Sequence, residues 1–315
     1  MLSTGYRLFG RSSPRFSGKI PHCSTLTDGS TFVILLVVSN LIVAQTMDLG
    51  IDGVHVLVTG ASGGIGLEIS RLFLEYGAKV TAQYNTTQTT LQPLAFQYGE
   101  RIQARQADLT DEDAVNKLFH DAATGSFGDV QVLILNHGIW PTADEPIRNM
   151  PLERWRKTID TNLTSSFITA KEYMWRLELA AAVVKDNASI IMIGSAAGKY
   201  GEAGHADYAS SKSAMMYGLT LSLKNEIVKI APRGRVNTVA PGWVKTPMAT
   251  EALKDPSIVY QALATTPLKK VGLPYDVATQ VVILSSQKIS GHITGQVLMV
   301  EGGMEGRLLN RPEDI

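Results

Sequence analysis

The sequence predicts an α/β protein: a doubly wound, parallel, seven-stranded sheet in a single domain. Three observations carry this. From Val54 onward, apolar runs of strand length alternate with stretches of helical periodicity. Several runs, "VQVLILN" and "SIIMIGS" among them, are apolar nearly throughout, as expected when helices cover both faces of a parallel sheet. The first run leads into "TGASGGIG", a Gly-rich turn between a strand and a helix, which is how such sheets open.

The elements follow in order. Val54 to Val58 reads as the first strand. The helix after it carries Ile65, Ile69, Leu72, Phe73 and Tyr76 at helical spacing and stops at Gly77, a C-cap residue. "AKVTAQY" and "RIQARQAD" give strands two and three, and a helix led by Asp111 runs through Ala123. "VQVLILN" is the fourth strand, followed by one long helical stretch from about Leu152 to Val184. "SIIMIGS" is the fifth strand. A helix containing "YASSK" precedes the sixth, "GRVNTVAPG". "YDVATQVVILSS" is a helix, and "GQVLMVEGG" is the seventh strand.

The first 46 residues form a separate leader, and residues 47–315 the domain. Met1 to Thr27 holds Arg7, Arg11, Arg15 and Lys19, many hydroxyl residues and no acid, a composition that suits a mitochondrial transit peptide. "FVILLVVSNLIVA", residues 32–44, is apolar but shorter than the roughly 20 residues of a bilayer span. A cleaved presequence, a membrane anchor and an extension absent from the mature protein remain open, and the location is mitochondrial or cytoplasmic accordingly.

Bulk composition excludes other classes. Lys+Arg and Asp+Glu both number 29, so no net charge favours nucleic acid or acidic partners. The single cysteine, Cys23, excludes an intrachain disulfide and a Cys-based zinc site. The six histidines show no metal-ligand spacing, and no metal is expected.

The chemistry concentrates at the carboxyl ends of the strands, where open α/β sheets bind ligands. In the first turn, Gly60, Ser62, Gly64, Ile65 and Gly66 offer close backbone approach and the free N–H groups of a helix start to a pyrophosphate. Asp108 ends the third strand, where it accepts from an adenine amino group or caps the next helix. Asn136 ends the fourth, to contact a cofactor or shape its groove. Asn162 sits mid-helix, an unfavourable place that asks for a reason. Ser195 ends the fifth strand, and Tyr208 and Lys212 stand at i and i+4, so the cation lies near the phenol and lowers its pKa.

From about Leu49 to Met304 the chain resembles the short-chain dehydrogenase/reductase family. The matching pieces are "TGASGGIG", "LNHG", "TNL", "GSAAG", "YASSK" and "PGWVKT". Within the family it is most similar to 3-oxoacyl-[acyl-carrier-protein] reductases, on "IMIGSAAGKYGEAGHADYASSK" and "ITGQVLMVEGGM". The resemblance implies a nicotinamide cofactor and roles for four residues. Tyr208 protonates the carbonyl oxygen, Lys212 lowers its pKa and holds the ribose, Ser195 bonds the substrate oxygen, and Asn162 supports a water leading protons to Lys212. It also implies cofactor contacts from Asn85, Leu109, Gly138, Pro241, Gly242, Val244 and Thr246, and a homotetramer or homodimer.

The expected activity is hydride transfer between NAD(P)H and a carbonyl or secondary alcohol. The substrate is a 3-oxoacyl thioester or a ketone of small-molecule biosynthesis. A catalytically silent nucleotide sensor and a membrane-attached scaffold are the readings from other classes. No acid occurs between Thr81 and Gln97 to repel a 2′-phosphate, so NADP(H) is favoured over NAD(H). His137 departs from the usual Ala, and the span from Asn162 to Ser195 is longer than in bacterial reductases. For an acidic carrier protein there are only Lys185, Arg233 and Arg235. Residues 245–269, with Met248, Leu253, Ile258, Val259, Tyr260 and Leu263, resemble a substrate lid, and Trp140, Trp243 and His205 are expected at the same mouth.

Overall fold

Strand β1 (His55–Val58) is buried along its whole length, and its alternating side chains feed two separate cores. Val56 and Val58 point into one apolar layer, Leu57 into the other. The computed structural model describes residues 47–307, 310, 313 and 315. The chain divides into two units, Met1–Asp48 and Leu49–Ile315, and every described helix and strand lies in the second. The transit and anchor signals of the leader lie outside the described residues.

Seven parallel strands form one sheet in the order β3-β2-β1-β4-β5-β6-β7. The others are β2 (Lys79–Tyr84), β3 (Ile102–Gln106), β4 (Val132–Leu135), β5 (Ser189–Ile193), β6 (Arg235–Pro241) and β7 (Val297–Val300). Successive strands run outward from β1 to β3, then restart at β4 on the other side of β1. That reversal opens a crevice at the carboxyl ends of β1 and β4, the usual ligand position in such sheets.

Helix α1 (Gly64–Glu75) packs Ile69, Leu72 and Phe73 on one face of the sheet beside Val277, Val281 and Val282. Complete burial of a side chain such as Phe73 contributes about 1.5–3 kcal/mol. On the other face lie α2 (Glu112–Ala123), α3 (Ser165–Leu179) and α4 (Thr220–Ile230), through Val115, Phe119, Tyr173, Leu177 and Ile227. Asp111 caps α2 by accepting from Asp113 and Ala114 N–H.

The expected single helix from Leu152 to Val184 is interrupted. A helix over Leu152–Ile159 passes into a π-turn at Asp160–Thr164 before α3, and α3 ends at Leu179. A short separate helix, Ala182–Lys185, follows. Periodicity does not reveal a one-residue insertion in a helical turn, which displaces the register without interrupting the apolar pattern.

A second correction concerns Arg235, expected as a surface cation. Its guanidinium is buried and donates to the Leu284 and Ser285 carbonyls at 2.6 and 2.9 Å and to Gln287 Oε1 at 2.8 Å. It satisfies the carbonyls ending helix α5 (Pro274–Ser285) instead of facing a partner. Among the described residues, no helix is long and apolar enough to cross a membrane.

His55 is buried between Gly128 O, at 2.8 Å from Nδ1, and Thr81 Oγ1, at 2.7 Å from Nε2. Burial lowers its pKa from 6.5 to about 4. The folded state therefore binds this proton more weakly than the unfolded chain. The resulting stabilisation is complete above pH 6.5 and is lost as pH falls toward about 4. It is on the order of 3 kcal/mol. Urea midpoints should fall between pH 7 and pH 4.5, and His55→Gln should flatten that fall. An unchanged pH slope in the variant would remove His55 as its source.

Candidate active site

The carboxyl ends of β1, β4 and β5 and the start of α1 surround one cavity of about 420 Å³. The Gly-rich turn is held in place from two sides. Gln83, at the end of β2, accepts from Gly60 N–H at 2.8 Å and donates to Ala107 O at 2.8 Å. Asn136, at the end of β4, donates to Thr59 O and Gly60 O at 3.0 and 3.1 Å. Gly60 has φ +60°, and a Cβ there would meet the backbone of His137 at 2.9 Å. At Gly66 a Cβ would stand 2.4 Å from Gly60 O, and at Gly64 one would press on Thr246 at 3.0 Å. No side chain caps α1 at Gly63. An uncapped helix start between close-packed glycines fits a pyrophosphate.

Every cofactor candidate from the sequence lines this cavity: Gly60, Ser62, Gly64, Ile65 and Gly66 from the first turn; Asn85, Asp108 and Leu109 from strands two and three; Asn136 and Gly138 from strand four; Tyr208 and Lys212; and Pro241, Gly242, Val244 and Thr246 after β6. Two of them also have structural duties. Asp108 accepts from the N–H and hydroxyl of Thr110 at 2.9 and 2.7 Å, which keeps its pKa below the usual carboxylate range, and it is not the helix cap. Asn136 shapes the groove through its bonds to Thr59 and Gly60.

Ser195 and Tyr208 both line the cavity, where the Ser195 hydroxyl acts to lower the pKa of the phenol. Ser195 ends β5 and its hydroxyl accepts from Ala197 N–H at 3.1 Å. Tyr208 lies on the helix Ala206–Ser213. Lys212, one turn later, has its Nζ 5.8 Å from the Tyr208 ring centroid and donates to Ile193 O at 2.9 Å. Burial drives both groups toward their neutral forms. Tyr208 is pushed up to about 12, with Ser195 opposing, and Lys212 is pushed down to about 8. This differs from the expected depression of the tyrosine by the cation: desolvation of the phenol wins, because Nζ is turned to the β5 carbonyl.

Asn162 does not line the cavity. It is fully buried within the π-turn, accepts from Ile139 N–H at 2.8 Å, and donates to Ile139 O at 3.0 Å and Ser211 Oγ at 3.1 Å. A Cβ on Gly138 would nonetheless lie 3.1 Å from Asn162 Oδ1 and 3.4 Å from Lys212 Nζ, so both side chains border Gly138.

At the mouth, Trp140, Trp243 and Met248 line the cavity. His205 is not at its surface: it is buried, stacked on Trp140 at 4.8 Å, with Nε2 on Pro141 O at 2.7 Å. Of the lid residues from Leu253 to Leu263, none lines the cavity. They form the separate helix Pro256–Leu263 and the turn before it.

His137 fills the groove at the β4 end. Its Nδ1 is 2.8 Å from Thr59 Oγ1 and its Nε2 2.7 Å from Ser165 Oγ. Burial, with the Lys212 charge nearby, lowers its pKa to about 3, so the ring is neutral. Sequence reasoning missed Gln83, Glu202 and Arg307 as cavity residues. Gln83 carried a usable signal, since a polar side chain ends an otherwise buried strand. Among the described residues, no His, Cys, Asp or Glu group is arranged to hold a metal ion.

Residues 60–305 match the family model described as enoyl-(acyl carrier protein) reductase. The chain is 36% identical over 257 residues to a 3-oxoacyl-[acyl-carrier-protein] reductase of Vibrio cholerae serotype O1, covering 81% of this chain and 99% of the relative. The Escherichia coli K12 protein of that description is 35% identical over 257 residues, with the same coverage. A crystal structure of a short-chain dehydrogenase/reductase, a glucose/ribitol dehydrogenase from Brucella melitensis, matches with a TM-score of 0.72 and 31% identity, covering 82% of this chain and 99% of that one. The chain belongs to the short-chain dehydrogenase/reductase family. It is an NAD(P)-dependent oxidoreductase that transfers hydride.

Proposed function

We propose that this protein reduces the 3-oxo group of an acyl thioester or a closely related ketone, using NADPH. The observation that carries this is the convergence of Ser195, Tyr208 and Lys212 on a cavity whose other end is the glycine cradle. The first turn and the segment Pro241–Thr246 would hold the cofactor, which supplies the hydride. The remaining work belongs to side chains. Ser195 and Tyr208 donate to the carbonyl oxygen as negative charge develops there. With its pKa near 12, Tyr208 is protonated at neutral pH and has a proton to give. Lys212 binds the ribose and, backed by Asn162, returns a proton to the tyrosine.

The relatives' names point to a carrier-bound thioester. With Arg235 buried, the basic surface for such a partner is thin, and Trp140 and Trp243 make an aromatic mouth. These features support a second reading, a ketoreductase acting on small free ketones. Phe167, Trp175 and Leu179 on α3 and Leu221 and Val228 on α4 are exposed, which supports a homo-oligomer built on these two helices. We place the catalytic domain at 47–315 and read the leader as a presequence, an anchor or an extension absent from the mature protein.

Three outcomes are expected. Tyr208→Phe should lower turnover by about 10² or more while cofactor binding is retained. Near-normal turnover would exclude Tyr208 as the acid. Asn85 and Thr86 line the cavity beyond β2, where no carboxylate repels a phosphate. Fluorescence titration should show NADPH binding more tightly than NADH, and tenfold tighter NADH would reverse this assignment. Light scattering at micromolar concentration should report a dimer or tetramer, and a monomer would count against the α3–α4 interface.

A further inference from the structure

The segment that follows β7 brings Arg307 to the catalytic cavity. After β7 the chain reverses through Gly302 and Gly303, whose φ values of 67° and 81° suit glycine. The tail is then tied down at three points. Tyr200 donates its hydroxyl to Met304 O at 2.6 Å, Glu305 N–H donates to Thr265 O at 3.1 Å, and Thr265 donates its hydroxyl to Gly306 O at 2.6 Å. The next residue is Arg307, which lines the cavity together with Glu202.

These two residues face each other across the substrate end. Arg307 Nη2 lies 3.7 Å from Glu202 Oε2, within ion-pair range but too far for a hydrogen bond. The Nε of Arg307 is buried and has no hydrogen-bond partner. Glu202 is nearly buried, and burial raises its pKa against the lowering effect of the Arg307 charge. Both charges reach Tyr208: Glu202 raises its pKa and Arg307 lowers it. A guanidinium whose buried Nε–H is unpaired, in a cavity wall close enough to act on Tyr208, is an incomplete recognition element, since a buried donor left unpaired costs free energy. Its charge is already balanced by Glu202, so the pair gives little net attraction to an anion. A neutral carbonyl oxygen fits it better.

We propose that Arg307, positioned by Glu202, donates to a second, neutral carbonyl oxygen of the substrate, close to the one that is reduced. The chain is then selective for substrates with two nearby carbonyls, such as 3-oxo esters and 3-oxoacyl thioesters, over simple ketones. This rests on the reductase function proposed above and extends it to a residue pair outside the Ser195–Tyr208–Lys212 group.

The test compares ethyl 3-oxobutanoate, the 3-oxobutanoate anion and 2-hexanone as substrates of the full chain with NADPH. The wild type should show higher kcat/KM for the ester than for either other compound. Arg307→Met should reduce the ester-to-hexanone ratio of kcat/KM at least tenfold, chiefly through KM, and Arg307→Lys should fall between. Glu202→Gln frees the guanidinium and should shift preference toward the anion. Cofactor titration of each variant checks that the fold is intact. An unchanged ester-to-hexanone ratio in Arg307→Met, or a wild type that prefers the anion tenfold, would overturn the inference and leave the reductase function standing. A wild type that binds cofactor but reduces none of the three would overturn both. If Arg307→Met fails to bind cofactor, Arg307→Lys decides by the same ratio.

Discussion

The site depends on the way three polar side chains hold one glycine turn at the point where the sheet reverses direction. At the carboxyl end of β1 the chain must leave the sheet, and the Thr59 carbonyl and the Gly60 backbone groups lose their strand partners. Gln83 supplies an acceptor for Gly60 N–H, and Asn136 supplies donors for Thr59 O and Gly60 O. Thr59 completes the set by donating its hydroxyl to Ile134 O at 2.9 Å and accepting from Asn136 N–H at 2.9 Å. All of these groups are buried or nearly so, where an unpaired amide would be costly. The turn is thereby fixed with its glycines toward the cavity, and the start of α1 is left free of protein caps. Remove either side chain and the cradle loses its shape before any ligand arrives.

Desolvation governs the catalytic half of the cavity in the same way. Tyr208, Lys212 and His137 are all drawn toward their neutral forms by burial. The consequence differs for each. A phenol held protonated is a ready acid. A lysine lowered to about 8 is close enough to neutral pH to exchange its proton. A neutral imidazole adds no charge to the groove and serves as a rigid bridge between Thr59 and Ser165. Where the usual residue is alanine, this chain thus fills the space with a ring whose two nitrogens are both engaged, leaving the groove's electrostatics unaltered.

Much of this was legible in the sequence because it depends on local rules. Strands β4 and β5, buried on both faces, are apolar nearly throughout, and the regular alternation with helical stretches made the other five visible. The Gly-rich turn announced itself by residue type, and Tyr208 and Lys212 by spacing. What escaped was decided by distant contacts. Arg235 reads as a surface cation beside Arg233, yet α5 ends against it and claims its donors. Arg307 and Glu202 lie 105 residues apart in the chain, and nothing local in the sequence pairs them. His205, expected at the mouth, was placed one layer too far out: Trp140 takes the cavity surface and the imidazole stacks behind it.

The two π-turns explain why Asn162 stands mid-helix. One spans Asp160–Thr164 and the other Ala214–Leu219, each inside a long helical run on the same side of the sheet. A π-turn adds a residue to one helical turn and so rotates the side chains beyond it. At the first, the Asn162 side chain leaves the helix and pairs with both backbone groups of Ile139, fixing the chain after β4. It also donates to Ser211, whose hydroxyl in turn donates to Tyr208 O at 2.7 Å. One asparagine therefore ties the β4 exit to the helix of the proposed acid. An ordinary helical residue at 162 would satisfy its own helix and leave the other two elements unjoined. The local penalty of asparagine in a helix is offset by bonds to two other elements, which is why propensity alone reads the position as a defect and the fold uses it as a joint.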